Sequence, residues 1–407
     1  MKVYLVGGAV RDGLLGVETG DRDWVVTGAT PEQLLDQGYQ QVGSSFPVFI
    51  HPQSGEEYAL ARTERKQGHG YHGFAVDFDP GVSIEDDLLR RDLTINAIAR
   101  DADGNLIDPY GGRSDIENKI LRHVSPAFAE DPLRVLRVAR FAARFHALGF
   151  SVHSETMDLM REITGSGELD HLVPERSWSE IFRAMEADKP SVFVSILREC
   201  GALTVLLPEV DVLFGVPQDP VWHPEIDTGI HTNLAMDFAA QNDFGPAVVF
   251  AVMLHDLGKG LTPESELPAH HGHENSGLAL VSAVCTRLRA PNAIQKLARQ
   301  LCFGHLRCHR VFEMRPAKIM KLLEDLDAFR SRDISGFVQG CESDSRGRKG
   351  YEHKDYPQGR HLVRALEAAL KVQARDLISA SLGQGPELGE KLRMARIQAI
   401  SELKQGL

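Results

Sequence analysis

The first 26 residues, MKVYLVGGAVRDGLLGVETGDRDWVV, decide how the N-terminal part of the chain folds. The apolar run at 3–6 predicts a short buried strand, which leads directly into the glycine pair at 7–8. Residues 9–15 predict a helix and residues 23–26 a second strand. The glycines therefore join a strand to a helix, and an Asp-x-Asp pair at 21 and 23 stands at the start of the next strand.

This acidic pair predicts a metal-dependent catalytic site. Residues i and i+2 of a strand point to the same face, so Asp21 and Asp23 would lie side by side and require a cation between them. Carboxylates with room for water and phosphate suit Mg²⁺, and two such ions can activate a hydroxyl and steady a leaving pyrophosphate. Gly8 and Arg11, at the start of the helix, would bind phosphate. The glycine pair or the Asp-x-Asp pair alone would be a weak signal, since either often marks a surface turn. Their order and close spacing in one strand–helix–strand segment support the hypothesis of a catalytic site.

A third carboxylate would complete such a site, and the sequence offers several. Glu57 lies on a predicted strand and alternates with apolar neighbours. Glu56 and Asp77 are alternatives, and Glu57 could equally be a polar residue on a solvated strand face. The choice stays open at this point.

The rest of the chain predicts an α+β protein. Residues 31–37 predict a helix, and 47–50 and 57–62 predict two more strands. After Glu130 the strand-like runs disappear, and apolar residues recur with helical spacing to the end. We expect a mixed-sheet head at 1–125, a helical neck and body at 126–220, a helical domain at 221–345 and a C-terminal helical segment at 346–407.

Composition restricts the class of protein. The 407 residues contain no apolar run long enough to span a membrane, and the N-terminus does not resemble a signal peptide. Five cysteines form no CxxC pair, so a reducing, cytoplasmic location is expected. The net charge of −12 argues against a general nucleic-acid binder. However, the segment 132–148 carries four arginines and no acidic residue, which leaves room for a local basic groove.

Four ordered motifs carry a family resemblance. They are GGAVRD with DRD at 7–12 and 21–23, RRDLTINA at 90–97, DPYGGRSDI at 108–116 and EDPLRVLRVARFAARF at 130–145. Together they resemble the tRNA nucleotidyltransferases and bacterial poly(A) polymerases, whose head is polymerase-β-like. The resemblance implies Mg²⁺-dependent nucleotidyl transfer catalysed by Asp21 and Asp23, with ATP, CTP and the tRNA 3′ end as partners. By matching positions, Arg91, Arg137 and Arg140 would bind nucleotide, and Asp92 and Asn96 would hold their segment in place.

The last of these motifs also has a physical interpretation. On a helix, Arg134, Arg137, Arg140 and Arg144 share one stripe, and Asp131 can brace Arg134 at i, i+3. Cytosine and adenine both present an amino donor beside a ring acceptor, whereas guanine and uracil present a carbonyl beside an N–H. An Asp–Arg pair would thus accept C and A without a template, as the resemblance implies. A solvated helix face with one salt bridge is the alternative.

A second constellation centres on HDLGKG at 255–260. His255 and Asp256 follow an apolar helix, with His231 before them and Asp344 after; His273 and His305 are less certain members. This order resembles the HD phosphohydrolases. Imidazole with carboxylate suits Ni²⁺ or another transition metal, which could activate water against a phosphate ester. The alternative is a histidine-rich polar surface, and His270, His271 and His309 are expected to be solvated.

The pairing of the two constellations resembles one subgroup, the multifunctional CCA proteins of proteobacteria, along essentially the whole chain. There, phosphatase, 2′-nucleotidase and 2′,3′-cyclic phosphodiesterase activities and nickel are associated with the HD domain. A poly(A) polymerase is disfavoured by the absence of a basic tail in SELKQGL at the end of the sequence. A phosphohydrolase with a nucleotide-sensing head and a non-catalytic RNA-binding protein fit the sequence less well. A monomer or a homodimer is expected, with no membrane partner.

Overall fold

A computed structural model of the chain describes residues 1–18, 20, 22–43, 48–66, 74–77, 79–379 and 386–405. The contacts divide the chain into two compact units. The N-terminal unit comprises Met1–Ile181 and Val192–Leu206, and the C-terminal unit comprises Phe182–Ser191 and Leu207–Leu407. The four domains expected from the sequence, with their bounds, stay a prediction.

A mixed seven-stranded sheet forms the centre of the N-terminal unit, in the order β3-β4-β5-β2-β1-β8-β9. The β2·β5 pair is parallel and the other pairs are antiparallel. The sheet strands are β1 (Lys2–Val6), β2 (Asp23–Thr27), β3 (Gln40–Val42), β4 (Val48–Ile50), β5 (Glu57–Leu60), β8 (Ala99–Arg100) and β9 (Leu106–Ile107). Two further pairs lie outside it: β6 (Thr63–Lys66) with β7 (Phe74–Asp77), and β10 (Ile120–Leu121) with β11 (Ser151–Val152).

Apolar side chains pack on both faces of this sheet. Val6, Val25 and Ala99 belong to one buried cluster. Val26 and Leu60 belong to the other. Successive strand residues thus alternate between the two faces, as Val25 and Val26 do. The carboxyl end of β1 is fixed from both sides, and this is the end from which the glycine turn departs.

Helices surround the sheet and continue beyond it in the N-terminal unit. Their bounds are α1 (Gly8–Leu15), α2 (Pro31–Asp36), α3 (Ile84–Leu89), α4 (Gly112–Asn118), α5 (Leu133–Arg144), α6 (Ser154–Gly165), α7 (Pro174–Ala184), α8 (Ser191–Glu199) and α9 (Ala202–Leu206). The helix α7 ends, and α8 begins, within residues that cluster with the other unit. A 3₁₀ turn at Thr94–Asn96 connects α3 to β8.

The described part of the C-terminal unit is helical. Its helices are α10 (Pro208–Asp211), α11 (Thr228–Gln241), α12 (Pro246–Leu254), α13 (His273–Arg287), α14 (Asn292–His309), α15 (Pro316–Asp325), α16 (Ala328–Ser331), α17 (Ser335–Arg346), α18 (Pro357–Lys371), α19 (Ala374–Ser379) and α20 (Pro386–Gln405). The apolar helix α12 is buried from Val248 to Leu254, and α11, α14 and α17 all pack against it. A helix that is apolar all round belongs in the middle of a core.

The expected fold class, a mixed-sheet head followed by helices, is confirmed. The expectation that strands end at Glu130 is wrong in one detail, because β11 pairs in parallel with β10. Two residues are too few to show the period of two that identifies a strand in sequence. Among the described residues, no helix combines the length and the apolarity that crossing a bilayer requires.

Candidate active sites

The glycine turn of the N-terminal unit is shaped for close approach. Gly7 caps α1 with φ 68°, and a Cβ at this position would lie 2.8 Å from Nη1 of Arg91. Only glycine fits both the backbone angle and the guanidinium above it. The first N–H groups of α1, from Gly8 onward, therefore lie beside a fixed cation. A helix N-terminus with an arginine over it is suited to bind phosphate.

A buried carboxylate that the sequence analysis missed positions this arginine. Asp87 accepts from Nη2 of Arg91 at 3.2 Å and from Nη2 of Arg90 at 2.7 Å. Burial favours the neutral acid, but the two arginines outweigh it and lower the pKa of Asp87. The signal in the sequence was an aspartate four residues before Arg91, a spacing at which side chains meet on a helix.

Arg11 lies inside the unit, where it links three segments. Its guanidinium donates to Asp12 at 2.7 Å and to Oδ1 of Asn96 at 2.5 Å. It also stacks on the rings of Phe141 and Phe145, 5.1 and 5.0 Å from their centres. Burial lowers its pKa despite the neighbouring Asp12. Arg11 thus ties α1 to the Thr94–Asn96 turn and to α5, and a direct role toward phosphate stays a prediction.

The carboxylates follow the sheet register. Asp23, the first residue of β2, is in register with Val6 on β1 and with Glu57 on the parallel strand β5. Directly paired residues of neighbouring strands project to the same face, so Glu57 stands beside Asp23. Both residues are exposed, and exposed oxygen ligands fit a hydrated Mg²⁺.

The rival carboxylates, Glu56 and Asp77, differ from Glu57 in their surroundings. Glu56 accepts from the Trp24 indole N–H at 3.2 Å and lies 3.7 Å from Arg22. Asp21 lies outside the described residues, and so does the side chain of Asp77. The structure therefore favours Glu57 over Glu56 as the neighbour of Asp23.

The arginine stripe of α5 is fixed by partners on other segments. Arg134 donates to the carbonyls of Ala127 at 2.8 Å and Arg90 at 2.5 Å. Arg137 donates to Asp92 at 2.6 and 2.7 Å. This contact raises the pKa of Arg137. Burial opposes the ionisation of Asp92, but Arg137 outweighs burial and lowers the pKa of Asp92.

Two residues of α7 that the sequence analysis missed complete this stripe. Glu180 accepts from Nε of Arg140 at 2.5 Å, and Arg176 donates to Asp131 at 2.8 Å. Asp131 also accepts from the backbone N–H of Leu133 at 3.1 Å. At least 40 residues separate each of these α7 residues from its partner along the chain, and no local pattern connects them. Bracing of Arg134 by the Asp131 side chain stays a prediction.

The other polar residues of the head motifs are structural. Asp92 accepts from the backbone N–H of Leu93 and from Nδ2 of Asn96, which confirms that the two hold their segment in place. Asp108 accepts from the N–H of Gly112 and so caps the start of α4.

A second centre lies in the C-terminal unit, where four helices and one turn converge. We call it the histidine–aspartate centre. His255 and Asp256 follow α12, and each side chain is buried. Its other members are likewise buried: His231 on α11, His273 on α13, His305 on α14 and Asp344 on α17.

The distances show that these side chains share one centre. Nε2 of His255 lies 3.1 Å from Oδ2 of Asp256, and Nε2 of His273 lies 3.2 Å from Oδ1 of Asp256. Nε2 of His231 lies 3.1 Å from Oδ1 of Asp344 and 3.9 Å from Oδ2 of Asp256. Nε2 of His305 lies 3.7 Å from Oδ1 of Asp256. The structure thus brings the four predicted ligands together and adds His273 and His305.

Backbone carbonyls orient three of the rings. Nδ1 of His255 lies 2.7 Å from the carbonyl oxygen of Val252. Nδ1 of His273 lies 2.7 Å from the carbonyl oxygen of His270, and Nδ1 of His305 lies 2.9 Å from the carbonyl oxygen of Cys302. A ring whose Nδ1–H donates to a carbonyl presents Nε2 as a free lone pair to the centre. His231 differs, because its Nδ1 lies 2.9 Å from a carboxylate oxygen of Glu225.

This donor set fits a transition metal. Nε2 of His255 is buried, makes no hydrogen bond among the described residues and lies 3.1 Å from Oδ2 of Asp256, which also pairs with Lys259 at 2.6 Å. A buried lone pair of this kind is costly unless an ion or a proton satisfies it. Burial disfavours the charge on Asp256, yet His255 and Lys259 hold its pKa well below the usual range. Mixed nitrogen and oxygen ligands are typical of nickel, manganese, iron or zinc.

Two of the three histidines expected to be solvated are not. His309 lies 2.7 Å from Asp344 and 2.9 Å from the Tyr356 hydroxyl, and His270 bridges Thr262 and the carbonyl of Pro217. His271 is exposed, as expected. The signal for His309 was its spacing from His305, since i and i+4 lie on one face of a helix.

Comparison with known proteins decides the family. A sequence model described as "Poly A polymerase head domain" matches residues 3–122, and one described as "Probable RNA and SrmB- binding site of polymerase A" matches 149–214. The chain is 55% identical over 405 residues to the multifunctional CCA protein of Thioalkalivibrio sulfidiphilus, covering 99% of both chains. It belongs to the multifunctional CCA protein family. The Stenotrophomonas maltophilia member is 56% identical over 404 residues, covering 98% of this chain and 99% of that one.

Solved structures of CCA-adding enzymes share the fold of this multifunctional CCA protein family member. The Bacillus stearothermophilus enzyme in complex with CTP has a TM-score of 0.64 at 23% identity, covering 98% of this chain and 89% of that one. The Thermotoga maritima enzyme complexed with tRNA has a TM-score of 0.63 at 18% identity, covering 100% and 91%. At these identities the likeness establishes the fold alone.

Proposed function

We propose that this member of the family adds CCA to the 3′ end of tRNA, using CTP and ATP. The observation that carries the proposal is the register of β1 and β2. Val6, the last residue before the Gly7 turn, pairs with Asp23, which in turn pairs with Glu57. A phosphate-binding turn and a pair of carboxylates therefore lie next to one another. The relatives' name and the CTP, ATP and tRNA complexes of the structural neighbours support the same activity.

Each candidate site residue of the head motifs has a proposed role in nucleotidyl transfer. The 3′-oxygen of the tRNA bonds to the α-phosphorus, the bond from that phosphorus to pyrophosphate breaks, and the hydroxyl proton passes to solvent. Asp21 and Asp23 would hold Mg²⁺ with support from Glu57; the metal supplies activation of the hydroxyl and neutralises charge on the leaving pyrophosphate. Arg91 and the N–H of Gly8 would bind the triphosphate, with Arg11 fixing the start of α1 beneath it.

The α5 stripe would select the base. Asp131 and Arg134 would accept cytosine and adenine by their shared amino and ring-nitrogen pattern, and Arg137 and Arg140 would position the nucleotide. The hydrogen bonds of these arginines to other segments support this role in base selection. Side chains that select a base without a nucleic-acid template must be held rigidly, because they discriminate by hydrogen bonding alone.

The experiment that tests this proposal uses tRNA transcripts that end before CCA. With CTP, ATP and Mg²⁺, products resolved at single-nucleotide resolution should show C, C and A added, and then a stop. A long ladder of A without C would instead indicate a poly(A) polymerase. Absence of extension by folded protein would leave the head as a nucleotide sensor.

We propose a second activity, phosphohydrolysis, at the histidine–aspartate centre, on the strength of the buried imidazole and carboxylate atoms that converge there. His231, His255, Asp256 and Asp344 would hold Ni²⁺ or another transition metal, with His273 and His305 also in position to complete the set. When bound, such a metal would supply activation of a water molecule for attack. Water adds to phosphorus, and the ester oxygen leaves with a proton, as in phosphatase, 2′-nucleotidase and 2′,3′-cyclic phosphodiesterase reactions. Damaged RNA ends would be its substrates.

Activity of the dialysed protein toward nucleoside 2′-monophosphates and 2′,3′-cyclic nucleotides tests this second proposal. Hydrolysis should appear on addition of Ni²⁺ or Mn²⁺ and disappear with chelator. Hydrolysis that persists in the chelated protein would place the activity elsewhere. The cytoplasm is the proposed location, and gel filtration with light scattering would distinguish the expected monomer from a homodimer.

A further inference from the structure

The segment from Val216 to Asp227, here called the rim loop, presents the most exposed large apolar side chains of the C-terminal unit's described residues. Val221 is 69% exposed and Trp222 62% exposed, and Ile226 is also exposed. An exposed tryptophan loses most of the free energy that its burial would give. Such a residue on a structured loop indicates a binding function.

Three contacts hold the rim loop against the histidine–aspartate centre. Glu225 lies 2.9 Å from Nδ1 of His231. The side chain of Gln218 accepts from Lys259 at 2.5 Å, and Lys259 lies 2.6 Å from Asp256. Arg348 donates to the carbonyl of Trp222 at 3.2 Å and to Asp344 at 3.1 Å. A single guanidinium thus joins the backbone of Trp222 to a proposed metal ligand.

The backbone of the rim loop is fixed in a demanding conformation. The N–H of Gln218 donates to the carbonyl of Ile226 at 2.6 Å, and Pro217 and Asp227 form a bridge at its base. Ile226 has φ 65°, a region that β-branched residues avoid. The loop therefore holds the backbone of Trp222 in a fixed position, one arginine away from Asp344, and the strain occurs where functional sites commonly carry it.

The chemistry beside Trp222 identifies what binds there. Arg348 and Lys259 neutralise Asp344 and Asp256, so that the metal ion proposed for the centre would leave it with a net positive charge, which suits a phosphate ester. In a nucleotide the base lies one ribose away from a 2′-phosphate or a cyclic phosphate. Unpaired bases at RNA ends are recognised by stacking on aromatic side chains. We infer that Trp222 is a stacking platform for the terminal nucleobase of an RNA end whose phosphate occupies the histidine–aspartate centre.

This inference rests on the proposed phosphohydrolase activity. It predicts that Trp222 contributes to the binding of substrates that carry a base and not to the binding of substrates that lack one. The metal-loaded full chain is assayed with adenosine 2′-monophosphate, which has a base, and with glycerol 2-phosphate, which has none. Trp222→Ala should raise KM for the nucleotide about 5- to 100-fold and leave kcat and the base-free substrate within about twofold. Trp222→Phe should restore most of the affinity. Val221→Ala, the matched control in the same loop, should behave as wild type.

A binding measurement separates failure of the inference from failure of the phosphohydrolase proposal. Titration of the metal-free protein with adenosine 2′-monophosphate should quench tryptophan fluorescence in the wild type, and this quenching should be lost in Trp222→Ala. If no substrate is hydrolysed but the quenching behaves in this way, the platform stands and the hydrolase proposal fails. Unchanged KM and quenching in Trp222→Ala would overturn the inference. So would an equal loss for both substrates, or a change from dimer to monomer, which would assign Trp222 to contact with a second copy.

Discussion

Individual buried ion pairs hold α5, the helix to which we assign base selection, against the rest of the N-terminal unit. Asp92 is buried and receives two hydrogen bonds from Arg137, and it anchors the turn at Thr94–Asn96 as well. Removal of one member of such a pair leaves the other uncompensated. The ion pair that joins the Thr94–Asn96 turn to Arg137 on α5 therefore depends on one carboxylate.

Asp92→Asn should destabilise the N-terminal unit by about 1–3 kcal/mol at pH 7. The pKa of Asp92 is lowered in the folded protein, so its stabilisation is present above the unfolded value of about 4 and is lost as pH falls below it. The difference between wild type and variant should thus shrink below about pH 4. Hydrogen exchange of the α5 amides with increasing urea measures this free energy.

The matched control is Asp158→Asn, which removes an exposed i, i+3 pair with Arg161 and should change stability by less than about 0.5 kcal/mol. Equal effects of the two substitutions at pH 7, or a difference that does not vary with pH, would show that Asp92 is not the ionised anchor described above.

At the scale of elements, the close packing of one turn on one helix shapes the histidine–aspartate centre. The turn Leu257–Leu261 follows the His255–Asp256 pair and lies against the start of α13, which carries His273. Gly258 and Gly277 allow this approach. A Cβ on Gly258 would overlap the carbonyl oxygen of His273 and lie 2.8 Å from the backbone N of Gly277.

Gly258→Ala should therefore separate the turn from α13, cost about 1–3 kcal/mol and weaken Ni²⁺ binding. Isothermal titration with Ni²⁺ and urea unfolding measure the two effects. The control is Gly336→Ala on α17, where a Cβ meets its nearest atoms at an ordinary 3.5 Å. Wild-type metal affinity in Gly258→Ala would mean that His273 does not contribute to the site.

Sequence predicted local features well and distant partners poorly. The glycine turn, the strand that begins at Asp23 and the apolar helix before His255 all depend on residues that are neighbours in the chain. Glu180 as a partner of Arg140 does not, because only the folded chain brings them together. The same reason explains why His309 was expected to be solvated, since its partners Asp344 and Tyr356 come from later segments.

At the scale of the whole molecule, each centre is built from residues of a single unit. Asp23, Glu57 and Arg91 belong to the N-terminal unit, whereas His255 and Asp344 belong to the C-terminal unit. The net charge of −12 of the whole chain does not show this division into two centres, because the basic stripe of α5 lies in the N-terminal unit alone. The two proposed activities should be separable by single substitutions.

Asp23→Ala should reduce nucleotide addition by at least about 100-fold and leave hydrolysis of 2′,3′-cyclic nucleotides unchanged, because it removes a proposed Mg²⁺ ligand only. His255→Ala should do the reverse. Both assays on both purified variants provide the measurement, with circular dichroism to confirm folding. Loss of both activities in either variant would show that the centres depend on each other.

The hydrogen bonds around the histidine–aspartate centre have a consequence for its supply of metal. Backbone carbonyls already aim the rings of His255, His273 and His305, and Lys259 and Arg348 already balance the charge of the two aspartates. The proposed metal would therefore enter a centre whose ligands are already oriented, unlike the metal of small domains that fold only around it. The ion acquired would then follow from what the cell provides and from the affinity order of the divalent metals, so a cell under changing nutrition would load the same polypeptide differently.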